Sequence, residues 1–124
     1  MATVLLVEDE KWLGELYVAL LQKAGHLVRW HQDAYEAMDA VDAQRPDVIV
    51  LDLLLPWANG IGLLHELASY GDLNTIPVII YSNALPARIS LQQLQPYGVR
   101  ALLDKATSKP NELVATVERL LRAA

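Results

Sequence analysis

The chain has 124 residues, 53% of them hydrophobic, and a formal net charge of −5. That is one domain of ordinary size with apolar residues enough for a real core, and its acidic balance argues against a bare nucleic-acid binder, because nothing offsets phosphate repulsion. Cysteine is absent, which excludes disulfides and thiol chemistry, and no apolar run approaches the ~20 residues that span a bilayer.

Met1-Ala2-Thr3 leads straight into Val4-Leu5-Leu6-Val7 with no basic leader, so no signal peptide is expected and a cytoplasmic location is. The run from Thr3 to Val7 is too short for a core helix and reads as a buried strand. From Glu10 to Ala24, the residues Leu13, Leu16, Tyr17, Leu20, Leu21 and Ala24 recur at three- and four-residue spacing, which is one helical face, and Gly25 is its C′ stop. His26 to Trp30 reads as a second, less apolar strand at the sheet edge. Asp33 with Glu36 three residues on predicts a capped helix through Ala37, Met38 and Val41, broken at Arg45-Pro46-Asp47. The strand Val48 to Leu51 follows, then a loop to Gly60 and a third helix from Ile61 to Tyr70. A polar connection leads to the strand Val78 to Tyr81. Pro86 opens a fourth helix that runs to Gln95 and ends at Tyr97-Gly98. The fifth strand covers Arg100 to Leu103. Ser108 or Thr107 caps a last helix with Pro110 in its first turn and a stripe of Leu113, Val114, Val117, Leu120 and Leu121. Five strand–helix units predict an α/β fold, a parallel sheet covered on both faces, with residues 1–124 as a single domain.

Four of these strands stop at a residue that carries chemistry: Glu8-Asp9 after the first, Asp52 after the third, Ser82 after the fourth and Asp104-Lys105 after the fifth. In an open parallel sheet, ligands sit beyond the carboxyl ends of the strands. Asp9 and Asp52 are then expected close together with Glu8 nearby. Two carboxylates ~4 Å apart repel by about 4 kcal/mol at an effective dielectric of 20, so they require a counter-cation. Oxygen-only donors with room for water suit Mg²⁺. The plainer explanation, that these acids only cap the helices behind them, serves Glu8 best taken alone.

Val4 to Glu10, Leu51 to Gly60, Ser82 and Lys105, with 43 residues from Asp9 to Asp52, 30 more to Ser82 and 23 more to Lys105, resemble the receiver domain of two-component response regulators over the whole chain. The resemblance implies a flavodoxin-like (βα)5 fold, a doubly wound five-stranded parallel sheet of order 2-1-3-4-5. It implies that Asp52 accepts a phosphoryl group from a histidine kinase or histidine phosphotransfer protein. It assigns Mg²⁺ to Asp9, Asp52 and the Leu54 backbone carbonyl, with Glu8 acting through water. Ser82 would hydrogen-bond the phosphoryl group and Lys105 would supply charge to it. An ionised carboxylate can attack phosphorus to give an aspartyl phosphate, and the remainder is positioning and neutralisation. Autocatalytic transfer and slow self-hydrolysis are the only catalysis expected. The output is a conformational switch read on the fourth helix, fifth strand and fifth helix by a downstream target or a second copy, with no nucleic-acid or membrane contact by this domain.

The chain departs from the family's pattern in places. The family's lysine is commonly followed by proline, and here that dipeptide is Lys109-Pro110; Lys105 is chosen because it directly follows the apolar run, with Ala106 in the proline's place. Leu102 stands where an aromatic switch residue is common, and Asn83 where a small residue follows the hydroxyl; Asn83 is expected to narrow the mouth of the site. Leu54 and Ala84 are apolar and expected to shield an acyl phosphate from water. The alternative function is a pseudo-receiver that binds partners without phosphorylation. A dinucleotide-binding domain is excluded because Glu8-Asp9-Glu10 stands where its glycine-rich turn would be. Trp12 and Trp57 are expected to pack locally, with partner docking the other role open to Trp57. His26, His31 and His65 lack ligand spacing and are expected at the surface or sheet edge.

Overall fold

The computed structural model describes residues 2–53, 60–69, 75–83, 85 and 90–123. In chain order the elements are β1 (Thr3–Val7), α1 (Lys11–Lys23), β2 (Leu27–His31), α2 (Ala34–Ala43), β3 (Val48–Leu51), α3 (Gly60–Ser69), β4 (Val78–Ser82), α4 (Leu91–Leu94), a 3-10 turn (Gln95–Tyr97), β5 (Val99–Asp104) and α5 (Pro110–Ala123). Every strand pair is parallel, and the order across the sheet is β2-β1-β3-β4-β5, the doubly wound arrangement expected.

Successive side chains of a strand point to opposite faces. Leu5, Val7, Ile49, Leu51 and Ile80 enter the core layer beneath α2, α3 and α4, while Val4, Leu6, Val48, Val50, Ile79 and Tyr81 enter the layer beneath α1 and α5. Because both faces are covered, these strands are apolar at consecutive positions instead of alternating. Among the described residues β2 pairs with β1 alone, and it is partly buried or exposed along its length, as its composition suggests. Leu113, Val117 and Leu120 form the buried stripe of α5, with Val114 and Leu121 packed against it. In α1, Tyr17 and Leu21 are buried, Ala24 is exposed at the C-cap, and Gly25 turns the chain at φ 96°. Asp33 Oδ1 accepts from the Glu36 amide at 2.8 Å, which fixes the start of α2.

Several elements depart from expectation. The fourth helix begins at Leu91, and Pro86 lies outside the described residues. Ser90 and Gln93 form a complete capping box there: Ser90 Oγ accepts from the Gln93 amide at 3.2 Å and Gln93 Oε1 accepts from the Ser90 amide at 3.1 Å. Four residues later the helix tightens into the 3-10 turn, which carries Pro96 and closes at Gly98. Neither Thr107 nor Ser108 caps α5. Their amides donate to the Asp104 carbonyl at 3.2 and 2.8 Å, closing the turn after β5, and Glu112 reaches back to the Lys109 amide at the helix start.

His26 is not a surface residue. It is 8% exposed, with Nε2 2.7 Å from Glu118 Oε1 on α5, so a facing carboxylate partners one nitrogen of the buried ring; β2 starts one residue later than expected, at Leu27. His31 is partly buried at the edge strand, and His65 is exposed and meets Tyr97 edge-on. Trp12 is 65% exposed and does not pack as expected, whereas Trp57 lies outside the described residues.

Gly14 has a role that periodicity does not reveal. A Cβ there would stand 2.1 Å from the ring of Trp30, which crosses α1 at this point. Trp30 is held in place, since its Nε1 donates to the Glu8 carbonyl at 2.8 Å. We therefore expect Gly14→Ala to destabilise the fold by about 1–3 kcal/mol, the usual cost of overpacking, as measured by urea denaturation.

Candidate functional site

β1, β3, β4 and β5 are neighbours and parallel, so their carboxyl ends lie in a row. The register sets Val7 beside Leu51 and Ser82 beside Asp104. Backbone bonds carry the ladder one step past the strands: the Asp52 amide donates to the Val7 carbonyl at 3.1 Å, and the Lys105 amide to the Ser82 carbonyl at 3.2 Å. The strand order reverses direction between β1 and β3, which is where an open α/β sheet leaves a crevice for chemistry.

Five residues singled out from the sequence meet in that crevice. Ser82 Oγ donates to Asp52 Oδ1 at 2.6 Å. Lys105 Nζ donates to Asp52 Oδ2 at 2.7 Å and to Glu8 Oε1. Glu8, Asp9 and Asp52 each offer one oxygen, all within 4.8 Å of one another. Glu8 and Asp52 are buried, at 2% and 6% exposure, and Ser82 is fully buried, while Asp9 faces solvent. Glu8 Oε2 also accepts from the Glu10 amide at 3.2 Å, so this acid holds the entry to α1 as well as pairing with the lysine. Lys109 is exposed at the start of α5, away from the role that the Lys-Pro dipeptide suggests. Leu102 is partly buried and Asn83 exposed; Leu54 and Ala84 lie outside the described residues.

Burial pushes the Glu8 carboxyl above its ordinary range, and Lys105 offsets only part of that. Burial alone would lower Lys105, but its hydrogen bonds with Asp52 and Glu8 outweigh it and hold the ammonium above its ordinary value. Two tyrosines complete the surroundings. Tyr17 on α1 and Tyr81 on β4 meet edge-on, with ring centroids 5.2 Å apart. In the sequence Tyr17 is one member of an apolar stripe and Tyr81 the last residue before Ser82. Only the position of Tyr81 at a strand end hints at the site, and no spacing signals that the two rings meet.

A model of the response regulator receiver domain matches residues 4–118, and the chain belongs to that family. It is a receiver domain, a phosphoacceptor signalling module of two-component systems rather than an enzyme proper. Response regulator MprA of Mycolicibacterium vanbaalenii is 33% identical over 122 residues, covering 96% of this chain and 50% of that protein. The chain thus spans about half the length of the curated relatives it matches. The receiver domain of the Francisella response regulator 1452 superposes with a TM-score of 0.87 at 27% identity, covering 99% of this chain and 98% of the other. The Mn²⁺-bound form of response regulator Rcp1 superposes with a TM-score of 0.79 at 26% identity, covering 95% and 92%. Response regulators interact with histidine kinases and downstream effectors, and the family binds Mg²⁺ in an acidic pocket. The three carboxylates here suit such an ion: they are hard oxygen donors on two adjacent strand ends, with one member open to solvent. Among the described residues no helix is long and apolar enough to cross a membrane.

The buried cluster makes stability sensitive to alkali. Burial and the neighbouring ring hold the Tyr17 phenol above its ordinary value of 10.0, burial does the same for Tyr81, and Lys105 is raised as described. Each group is bound more tightly to its proton in the fold than in the unfolded chain. Their contribution is therefore complete below about pH 10 and lost as pH rises through the raised values. Unfolding free energy, measured by urea denaturation, is expected to fall above about pH 10, and to fall less steeply in Tyr17→Phe.

Proposed function

We propose that Asp52 is the phosphoacceptor of this receiver domain. The observation that carries this is the bracketing of one buried carboxylate by a hydroxyl at 2.6 Å and an ammonium at 2.7 Å, at the carboxyl edge of the sheet. A carboxylate oxygen of Asp52 attacks the phosphorus of a partner phosphohistidine; the new O–P bond forms as the P–N bond breaks, and the imidazole leaves. Ser82 Oγ, now donating to Asp52, is in reach of a phosphoryl oxygen on that carboxylate. Lys105 is in reach of the same group and supplies a positive charge in a water-poor setting. Asp9 and Asp52 would hold a Mg²⁺ ion directly, with the Leu54 backbone carbonyl, and Glu8 through water; Rcp1 takes Mn²⁺ on the same fold. When bound, the ion neutralises charge on the carboxylates and the transferred phosphoryl oxygens.

The donor is a histidine kinase or a histidine phosphotransfer protein, and transfer from small phosphodonors and slow self-hydrolysis are the only catalysis. Residues 1–124 act as one receiver domain, located in the cytoplasm with its donor. The output surface is α4, β5 and α5, read by a downstream protein or a second copy. No observation favours the non-phosphorylated scaffold, since hydroxyl, ammonium and acids all stand together.

Mass spectrometry after incubation with acetyl phosphate and Mg²⁺ tests the assignment. One phosphoryl adduct is expected on the wild type and none on Asp52→Asn. Lys105→Met is expected to slow adduct formation by about 10²-fold, the usual loss when one preorganised electrostatic partner is removed. An adduct that persists on Asp52→Asn would assign the acceptor elsewhere.

A further inference from the structure

Ala106 stands where the family commonly has a proline after the lysine, so the backbone lacks the ring that would restrict the approach of Lys105. The lysine is nevertheless held by two kinds of contact. Its side chain is 7% exposed. Glu8 and Asp52 take two of its three N–H donors. Nζ also lies over the ring of Tyr17 at 5.8 Å from the centroid and over that of Tyr81 at 5.9 Å. Both distances are within cation–π range, and the interaction is strongest where water is excluded, as it is here. The rings are themselves fixed: each is 3% exposed, and they brace one another at 64°. They also come from elements that carry the site, since Tyr81 directly precedes Ser82 on β4 and Tyr17 sits on α1, just after Glu8 and Asp9.

From this geometry we infer that Tyr17 and Tyr81 are positioning residues: the two rings form an aromatic cradle that aims the Lys105 ammonium at the acceptor, in place of the missing proline. The inference rests on the assignment of Lys105 to the phosphoryl group. A four-carbon stem with three freely rotating donors is a poorly preorganised point charge. π density from two rings restricts the ammonium without competing with the carboxylates as hydrogen-bond acceptors. The cradle also stays in place when Lys105 turns from Asp52 to a group attached to Asp52, because neither ring belongs to the reacting set.

A double-mutant cycle read by the rate of adduct formation with acetyl phosphate and Mg²⁺ tests this. Tyr81→Leu is expected to slow the wild type about tenfold, and Tyr81→Phe, which keeps the ring, to recover most of that loss. In a Lys105→Met background, Tyr81→Leu is expected to have almost no further effect, because the ring acts through the ammonium. Tyr17→Leu repeats the cycle from the other ring. A spectroscopic readout needs no variant: in the wild type, the Lys105 ε-methylene protons are expected upfield of the other lysines by ring current from two faces. Equal slowing by Tyr81→Leu with and without Lys105, or an unshifted ε-methylene signal, would overturn the cradle. A wild type that forms no adduct would instead overturn the acceptor assignment on which it rests.

Discussion

One buried ammonium holds this site together. Lys105 meets Glu8, 97 residues away in sequence, and Asp52, 53 residues away, at a point where all three are largely shut off from water. Two buried carboxylates without a cation would repel and lose hydration together, and removing one partner from such a group leaves an uncompensated charge in the interior. The lysine thus makes it possible for two acids to face each other at adjacent strand ends. That juxtaposition is costly for folding unless a cation stands between the acids.

The rest of the fold keeps the three residues in register. Parallel pairing of β1 with β3 and of β4 with β5 delivers their carboxyl ends to one edge, and a one-residue slip would exchange side chains fitted to two different core layers. Trp30 reaches from the edge strand to the Glu8 carbonyl across a contact that only Gly14 leaves open. The edge strand is therefore more than a sheet margin: it fixes the backbone of the first acid.

The site is economical with charge. Asp52 has a hydroxyl on one oxygen and an ammonium on the other, so on the acceptor assignment proposed above both donors already face the carboxylate at which charge increases. Preorganisation of this kind is where electrostatic stabilisation comes from in phosphoryl transfer, which asks for positioning and neutralisation more than for covalent chemistry by the protein. Of the three clustered acids, Asp9 is the one that faces solvent.

Readable from the chain alone are the five strand–helix units, the double-faced parallel sheet and the position of Glu8, Asp9, Asp52, Ser82 and Lys105 at strand ends. Each of those follows from local pattern: apolar runs of strand length, helical periodicity, and the residue at which a run stops. Tertiary structure decided what depends on contact between distant residues. His26 reads as an edge residue until Glu118 on the last helix is seen to receive it. Tyr17 and Tyr81 read as ordinary core until their rings meet beneath the same ammonium. The capping box of Ser90 with Gln93 at the start of α4 became visible only once the turn that brings the two together had formed. Local pattern is set by the few kcal/mol of propensity and burial that each segment carries alone. Which side chains share a pocket is set by how the sheet twists and stacks segments together, and that information is distributed over the whole chain.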